Sequence, residues 1–205
     1  FLLALLLLVP ATAALAQTQT LRLATLAPDG SPWMRELRAA AAQVQAETGG
    51  RVEIRYFPGG VMGNDQAVIR RIRQGGQLQG GVLTSSELSL LYPDASVYTL
   101  PFLFRDWAEV DHVRPQVDPL LAKGFAERGF HMLGASGIGF AYLMSTRPMT
   151  GGVADVKRAK LWVPQNDVIA EMTFREGGAS PIPLPIGDVF TSLQTGMIDM
   201  VANTP

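Results

Sequence analysis

The sequence predicts an α/β protein whose two lobes enclose a cleft. Three observations carry this. Short alternating apolar runs of strand type are interleaved with apolar residues at helical spacing. Glycine and proline fall between these segments. Two such α/β units are separated by extended, proline- and aromatic-rich chain, and a pair of α/β units places small-molecule sites at the ends of its strands.

The first unit opens with residues 21–26, LRLATL, which alternate as a strand. Pro28-Asp29-Gly30 turns the chain, Ser31 is placed to cap a helix, and Pro32 suits its first position. Met34, Leu37, Ala41 and Val44 then share one face, and Gly49-Gly50 ends the helix. Val52, Ile54 and Tyr56 alternate with Arg51, Glu53 and Arg55, predicting a second strand. Asn64 caps a helix carrying Val68, Ile69 and Ile72 as far as Gly75, and residues 80–83 form a third strand. Residues 91–104, LYPDASVYTLPFLF, read as a buried connection. Helices are expected at 107–113 and 118–128, and strands at 130–133 and 140–145. The second unit has strands at 161–163, 180–184 and 197–201, with helices at 168–176 and 188–195. This βαβαβ order implies parallel sheets flanked by helices.

Composition narrows the function. A formal net charge of -1 offers no basic surface for nucleic acid. Hydrophobic residues make up 47% of the chain, enough for a core and too many for disorder. The absence of cysteine excludes disulfides, thiol catalysis and Cys-ligated metal. The run FLLALLLLV at residues 1–9 is shorter than the roughly 20 residues a spanning helix requires. Pro10 follows it, and Ala14-Leu15-Ala16 is a small-x-small cleavage site. Residues 1–16 therefore read as a secretory signal peptide cut after Ala16, which implies export to the periplasm.

Six landmarks occur in a fixed order: LATLAPDGSPW (residues 23–33), GGVMGNDQAVIRRIRQG (59–75), LYPDASVYTLPFLF (91–104), STRPM (145–149), KLWVP (160–164) and SLQTGMIDMVAN (192–203). In that order they resemble the extracytoplasmic solute receptors of TRAP transporters, the DctP-like family. The resemblance spans residues 21–205. It implies a two-lobed, periplasmic-binding-protein-like fold, with lobe I at 17–139 and lobe II, incomplete, at 140–205. Chain crossings would fall near 140–150 and 200–205. The family domain extends past this point, so the sequence reads as a piece cut at both ends and lacking its C-terminal part. The implied function is capture of a small organic ligand and its delivery to a membrane permease of one small and one large subunit, without catalysis or cofactor. An exported hydrophobe carrier, or a sensory binding module on the same scaffold, is the alternative.

The resemblance also marks ligand-facing positions. The family's carboxylate-gripping arginine is replaced here by Trp162, and a second frequent arginine by Ala141. Gln66 and Thr84 stand where sugar-acid members often carry charge. Ile186 replaces an aromatic, and Asn203 fits the pattern unchanged. Arginine holds a carboxylate through two charge-assisted bonds, whereas indole offers one neutral donor and an apolar face. These replacements predict a more neutral cleft and a ligand that is apolar or a weak monoacid rather than a C4-dicarboxylate. Trp162 suits either core or cleft, and its flanking residues favour the cleft, stacked on the ligand.

Other polar residues read as structural. Asp167 and Asp188 stand at helix starts as caps. Trp33 suits core or cleft rim. His112 and His131 lack partners at metal-ligand spacing, and Arg70, Arg71 and Arg73 form a solvated face. The glycines at 59, 60 and 63 match no phosphate-binding motif and read as a turn. No Ser/His/Asp set is present, so catalysis is not expected.

Overall fold

The computed structural model describes residues 18–204, so the signal-peptide segment lies outside the described residues. Among them, two sheets organise the chain. The first has order β2-β1-β3, with β1 (Gln19–Thr25), β2 (Val52–Phe57) and β3 (Gly80–Val82) all parallel. The second has order β4-β7-β5-β6. There β5 (Leu161–Pro164) runs parallel to β6 (Ile182–Leu184) and β7 (Met200–Asn203), while β4 (Tyr142–Ser145) is antiparallel to β7. The α/β class and its mixed parallel sheets match the sequence expectation.

Local signals explain the first sheet's helices. In α1 (Pro32–Glu47) the Ser31 hydroxyl accepts the Met34 N–H at 3.2 Å, and Met34 is fully buried. In α2 (Asp65–Gln74) the Asn64 side chain accepts the Ala67 N–H at 3.0 Å. Such caps satisfy amides that a helix start otherwise leaves unpaired. Ala24, Val68 and Leu78 form the core here, packed by Phe57, Met62, Ile72 and Leu83. The glycine turn after β2 folds back on the end of β1, since Gly59 N–H and Gly60 N–H donate to Ala27 O and Thr25 O. Gly60 has φ +73, which glycine adopts without steric cost.

Asp199 holds the second sheet together. It is 7% exposed, and its Oδ1 accepts the Lys160 N–H at 2.8 Å while its N–H donates to Lys160 O at 3.0 Å. Its carbonyl accepts from the Thr146 N–H, and Arg147 pairs with its Oδ2 at 3.0 Å. One residue therefore joins the starts of β5 and β7 to the end of β4. Leu161, Val163, Ile198 and Met200 are buried around it.

Several expectations are corrected. The two helices expected at 107–113 and 118–128 are one helix, α4 (Trp107–Ala126), with Pro115 and Pro119 inside it. Each proline removes a ladder donor. Side chains nevertheless bind this stretch, since Arg114 pairs with Asp118 and donates to Ala135 O at 2.6 Å, and Tyr98 donates to Asp118 at 2.6 Å. Residues 130–133 form no strand, because no described strand pairs with them. The connection at 91–104 contains a 3₁₀ segment, Pro93–Thr99, and its end is exposed, with Phe102 96% accessible. Asp188 makes no capping bond, because the 3₁₀ turn Ile186–Asp188 feeds directly into α7 (Val189–Gln194). Two short helices, α3 (Ser85–Ser89) and α5 (Val153–Arg158), were not expected; α6 (Val168–Glu176) was.

The close approach of α4 to the 3₁₀ segment gives a test. A Cβ at Gly124 would lie 2.2 Å from the Tyr92 ring, which stacks edge-on with Phe125 and lies under the Arg128 guanidinium. Gly124→Ala should lower the unfolding free energy by about 1–3 kcal/mol. Urea denaturation checks this.

Candidate functional site

The C-terminal ends of the parallel strands carry the candidate site, as expected for open α/β sheets. At the first sheet, β1 runs into the loop before α1, and β3 leads to Thr84. At the second, β5 ends at Pro164, β6 at Leu184 and β7 at Asn203. Because β4 is antiparallel, its beginning lies at the same edge, with Tyr142 paired to Asn203.

The sequence-predicted positions distribute around these ends. Thr84 is exposed, and its N–H and hydroxyl both reach Asp65 Oδ2 at 3.0 Å, while Gln66 follows Asp65 in the first turn of α2 and is half-buried. Ala141 precedes β4 and is exposed; Ile186 follows β6 and is 46% exposed. Asn203 Oδ1 accepts the Thr204 N–H at 2.9 Å, and its amide nitrogen makes no hydrogen bond among the described residues.

Trp162 requires a correction. Its side chain is 1% exposed, and its indole N–H donates to Leu184 O at 2.9 Å. Its backbone pairs with Ile182 on one side and Val201 on the other. The expected open indole face and free donor are therefore not present: the ring packs within the sheet, and its donor ties β5 to β6. The large apolar surface of indole makes such burial favourable once the N–H is satisfied.

Two residues that the sequence reading did not single out join the two strand-end clusters. The Asn166 amide donates to Glu87 Oε1 at 2.9 Å, linking the loop after β5 to α3. Asn166 has φ +68, a left-handed conformation that asparagine tolerates better than most residues. Thr84-Ser85-Ser86-Glu87 has capping-box spacing, which would fold Glu87 back onto the Thr84 N–H. Asp65 takes that N–H instead, and Thr84 makes no side-chain cap bond. Glu87 is thus free to reach Asn166. The capping-box spacing was the available signal, but it points to the wrong partner.

The electrostatics here are acidic. Burial pushes the Asp65 carboxyl above its ordinary value, against the lowering effect of the Thr84 bonds. Burial likewise raises Glu87, with the Asp65 charge adding to it and the Asn166 bond opposing it. Asp167, which caps α6 by accepting the Ala170 N–H at 2.9 Å, is raised by burial as well. Its capping role is as expected. Among the described residues no group of His, Cys, Asp and Glu is arranged to hold a metal ion. Two surface depressions, one along α1 and β2 and one on α4, include none of the predicted site residues.

An α/β chain with its polar groups clustered at the ends of two sheets has the form of a small-molecule receptor. Residues 23–205 match the family model for bacterial extracellular solute-binding proteins, family 7, also called DctP, and the chain belongs to that family. It is similar to the uncharacterized protein YiiZ of Salmonella typhimurium, with 32% identity over 89% of this chain and 56% of the relative. It is also similar to the 2,3-diketo-L-gulonate-binding periplasmic protein YiaO of Escherichia coli, with 30% identity over 76% of this chain and 47% of the relative. Among solved structures, a TRAP periplasmic solute-binding protein of Xanthobacter autotrophicus with bound β-D-galacturonate superposes with a TM-score of 0.82. It shares 29% identity, over 90% of this chain and 61% of that one. The chain therefore spans about half the length of these curated relatives.

Two outcomes follow from the site. Asp65, Glu87 and Asp167 bind protons more readily in the folded chain than in the unfolded one. Their contribution to stability therefore grows as pH falls from neutrality toward the ordinary carboxylate range, and is lost as pH rises through their raised values. Asp29, Glu53, Glu109 and Asp155 are lowered, so they oppose this only at more acid pH. Asp65→Asn should flatten the rise in thermal midpoint between about pH 7 and 5, as read by scanning calorimetry. Trp162→Phe removes the bond to Leu184 and should cost about 1–3 kcal/mol in chemical denaturation.

Proposed function

We propose that this chain is the ligand-capturing part of a periplasmic TRAP-transporter subunit, which binds one small organic acid and passes it to a permease of small and large membrane subunits. The observation that carries the reading is the family match over residues 23–205. The geometry supports it. The loop after β5 in the second sheet meets α3, which follows β3 of the first, through the Asn166–Glu87 bond, and such strand-end loops are where α/β receptors bind small molecules. The two sheets would form lobes at 17–139 and 140–205 that close on the solute, since contacts to both exist together only in the closed form. Export of the chain, with cleavage after Ala16, belongs to the same reading. No helix among the described residues is long and apolar enough to cross a membrane.

The solute is a neutral or singly charged compound rather than a C4-dicarboxylate. The position of the family's usual arginine is filled by a buried indole, and Asp65, Glu87 and Asp167 stand at the strand ends. A second carboxylate buried among them without a cation would cost several kcal/mol in desolvation and repulsion. Gln66, Thr84, Ala141, Ile186 and Asn203 would shape the wall, with the Asn203 amide nitrogen donating to the solute. Trp162 would contribute from behind the wall, as the packing that holds β5 and β6 in place.

Calorimetric titration of the full-length protein with galactonate, β-D-galacturonate and succinate tests this. The sugar monoacids should bind at least roughly tenfold more tightly than succinate. Tight succinate binding would overturn the ligand class, and no binding of any small acid would overturn the receptor assignment.

A further inference from the structure

We infer that Glu87 is a specificity-determining residue, whose Oε2 accepts a hydrogen-bond donor, hydroxyl or ammonium, from the bound solute. This rests on the receptor reading above. Glu87 is 9% exposed, and its Oε2 is fully buried without a hydrogen-bond partner. A buried acceptor left unpaired is costly, so native structures rarely retain one without a function. The other oxygen is committed to Asn166, whose side chain arrives from the far sheet. The usual local partner of a glutamate at this spacing, the Thr84 N–H, is held by Asp65. The acceptor is thus left without a hydrogen-bond partner among the described residues, and its usual local donor is held by Asp65.

The arrangement gives an order of events. With the sheets apart, the Glu87–Asn166 bond is broken and both carboxylate oxygens are open to solvent. A solute donor lands on Oε2, and closure then brings Asn166 onto Oε1 and seals the contact. The left-handed Asn166 backbone holds the amide in the loop that makes this approach. A site built around such an acceptor rejects analogues that lack the donor far more strongly than an apolar pocket rejects a change in size.

The experiment compares galactonate, 4-aminobutyrate and succinate on the full-length protein and its Glu87→Gln variant by calorimetry, with thermal midpoints measured without solute. Galactonate supplies hydroxyl donors, 4-aminobutyrate an ammonium, and succinate neither. Glutamine keeps a carbonyl for Asn166 but places an amide donor where Oε2 stood. The wild type should prefer a donor-bearing probe by at least about tenfold, and the variant should lose that preference. Which probe is preferred identifies the donor as hydroxyl or ammonium. Glu87→Asp, which withdraws the acceptor but keeps the charge, gives the same readout should the glutamine variant not fold. A preference unchanged in the variant overturns the inference and leaves the receptor assignment standing. Parallel weakening of all probes, reproduced by Asn166→Ala, also overturns it, because Glu87 would then act only through the bridge. Failure of every probe to bind the wild type overturns the receptor reading, and this inference with it.

Discussion

Asp199 is the constraint on which the second sheet depends. Strand β7 lies between a parallel neighbour and an antiparallel one, and short strands of this kind can slip in register. The Asp199 carboxylate fixes β5 through the Lys160 N–H, and its carbonyl fixes β4 through the Thr146 N–H. A slip by one residue would move Val201 and Asn203 to the opposite face and separate Asn203 from Tyr142. The position of the strand-end cluster therefore follows from hydrogen bonds made at the other end of the strands. Desolvation of this carboxylate is offset by the two charge-assisted contacts it receives.

The union of the two sheets rests on a thinner link. Asn166 adopts a conformation that costs non-glycine residues about 1–3 kcal/mol in general, somewhat less for asparagine. Glu87 is buried beside another carboxylate. Both features work against folding, and both occur where the sheets meet. Packing elsewhere in each sheet supplies the stability that sustains them, which is the pattern expected where binding rather than cohesion sets the residue choice.

Elements with strong local signals were legible in the sequence. Ser31 with Pro32, Asn64 and Asp167 cap the helices assigned to them, and the stripe Met34, Leu37, Ala41, Val44 faces inward. Less legible were features decided by distant partners. Residues 130–133 have strand-like composition, but a strand exists only through its ladder. The helices expected at 107–113 and 118–128 are one, and its proline-containing stretch is bound by tertiary bonds of Arg114 and Asp118. The site shows the same division. Positions at strand ends could be read from the order of elements, whereas the fate of each side chain could not. Trp162 bonds a carbonyl 22 residues away, and Glu87 bonds an amide 79 residues away. Neither choice is written in its own neighbourhood.

The three indoles of the chain occupy unlike surroundings. Trp162 is sealed in the second sheet with its N–H bonded, Trp33 is half-buried, and Trp107 lies 43% exposed against the Phe140 ring. Ultraviolet emission from the sealed ring should be blue and shielded from aqueous quenchers, while that from Trp107 should be redder and easily quenched. The chain thus carries its own optical gauge, in which one colour reports the integrity of the second sheet and the other the environment of the long helix.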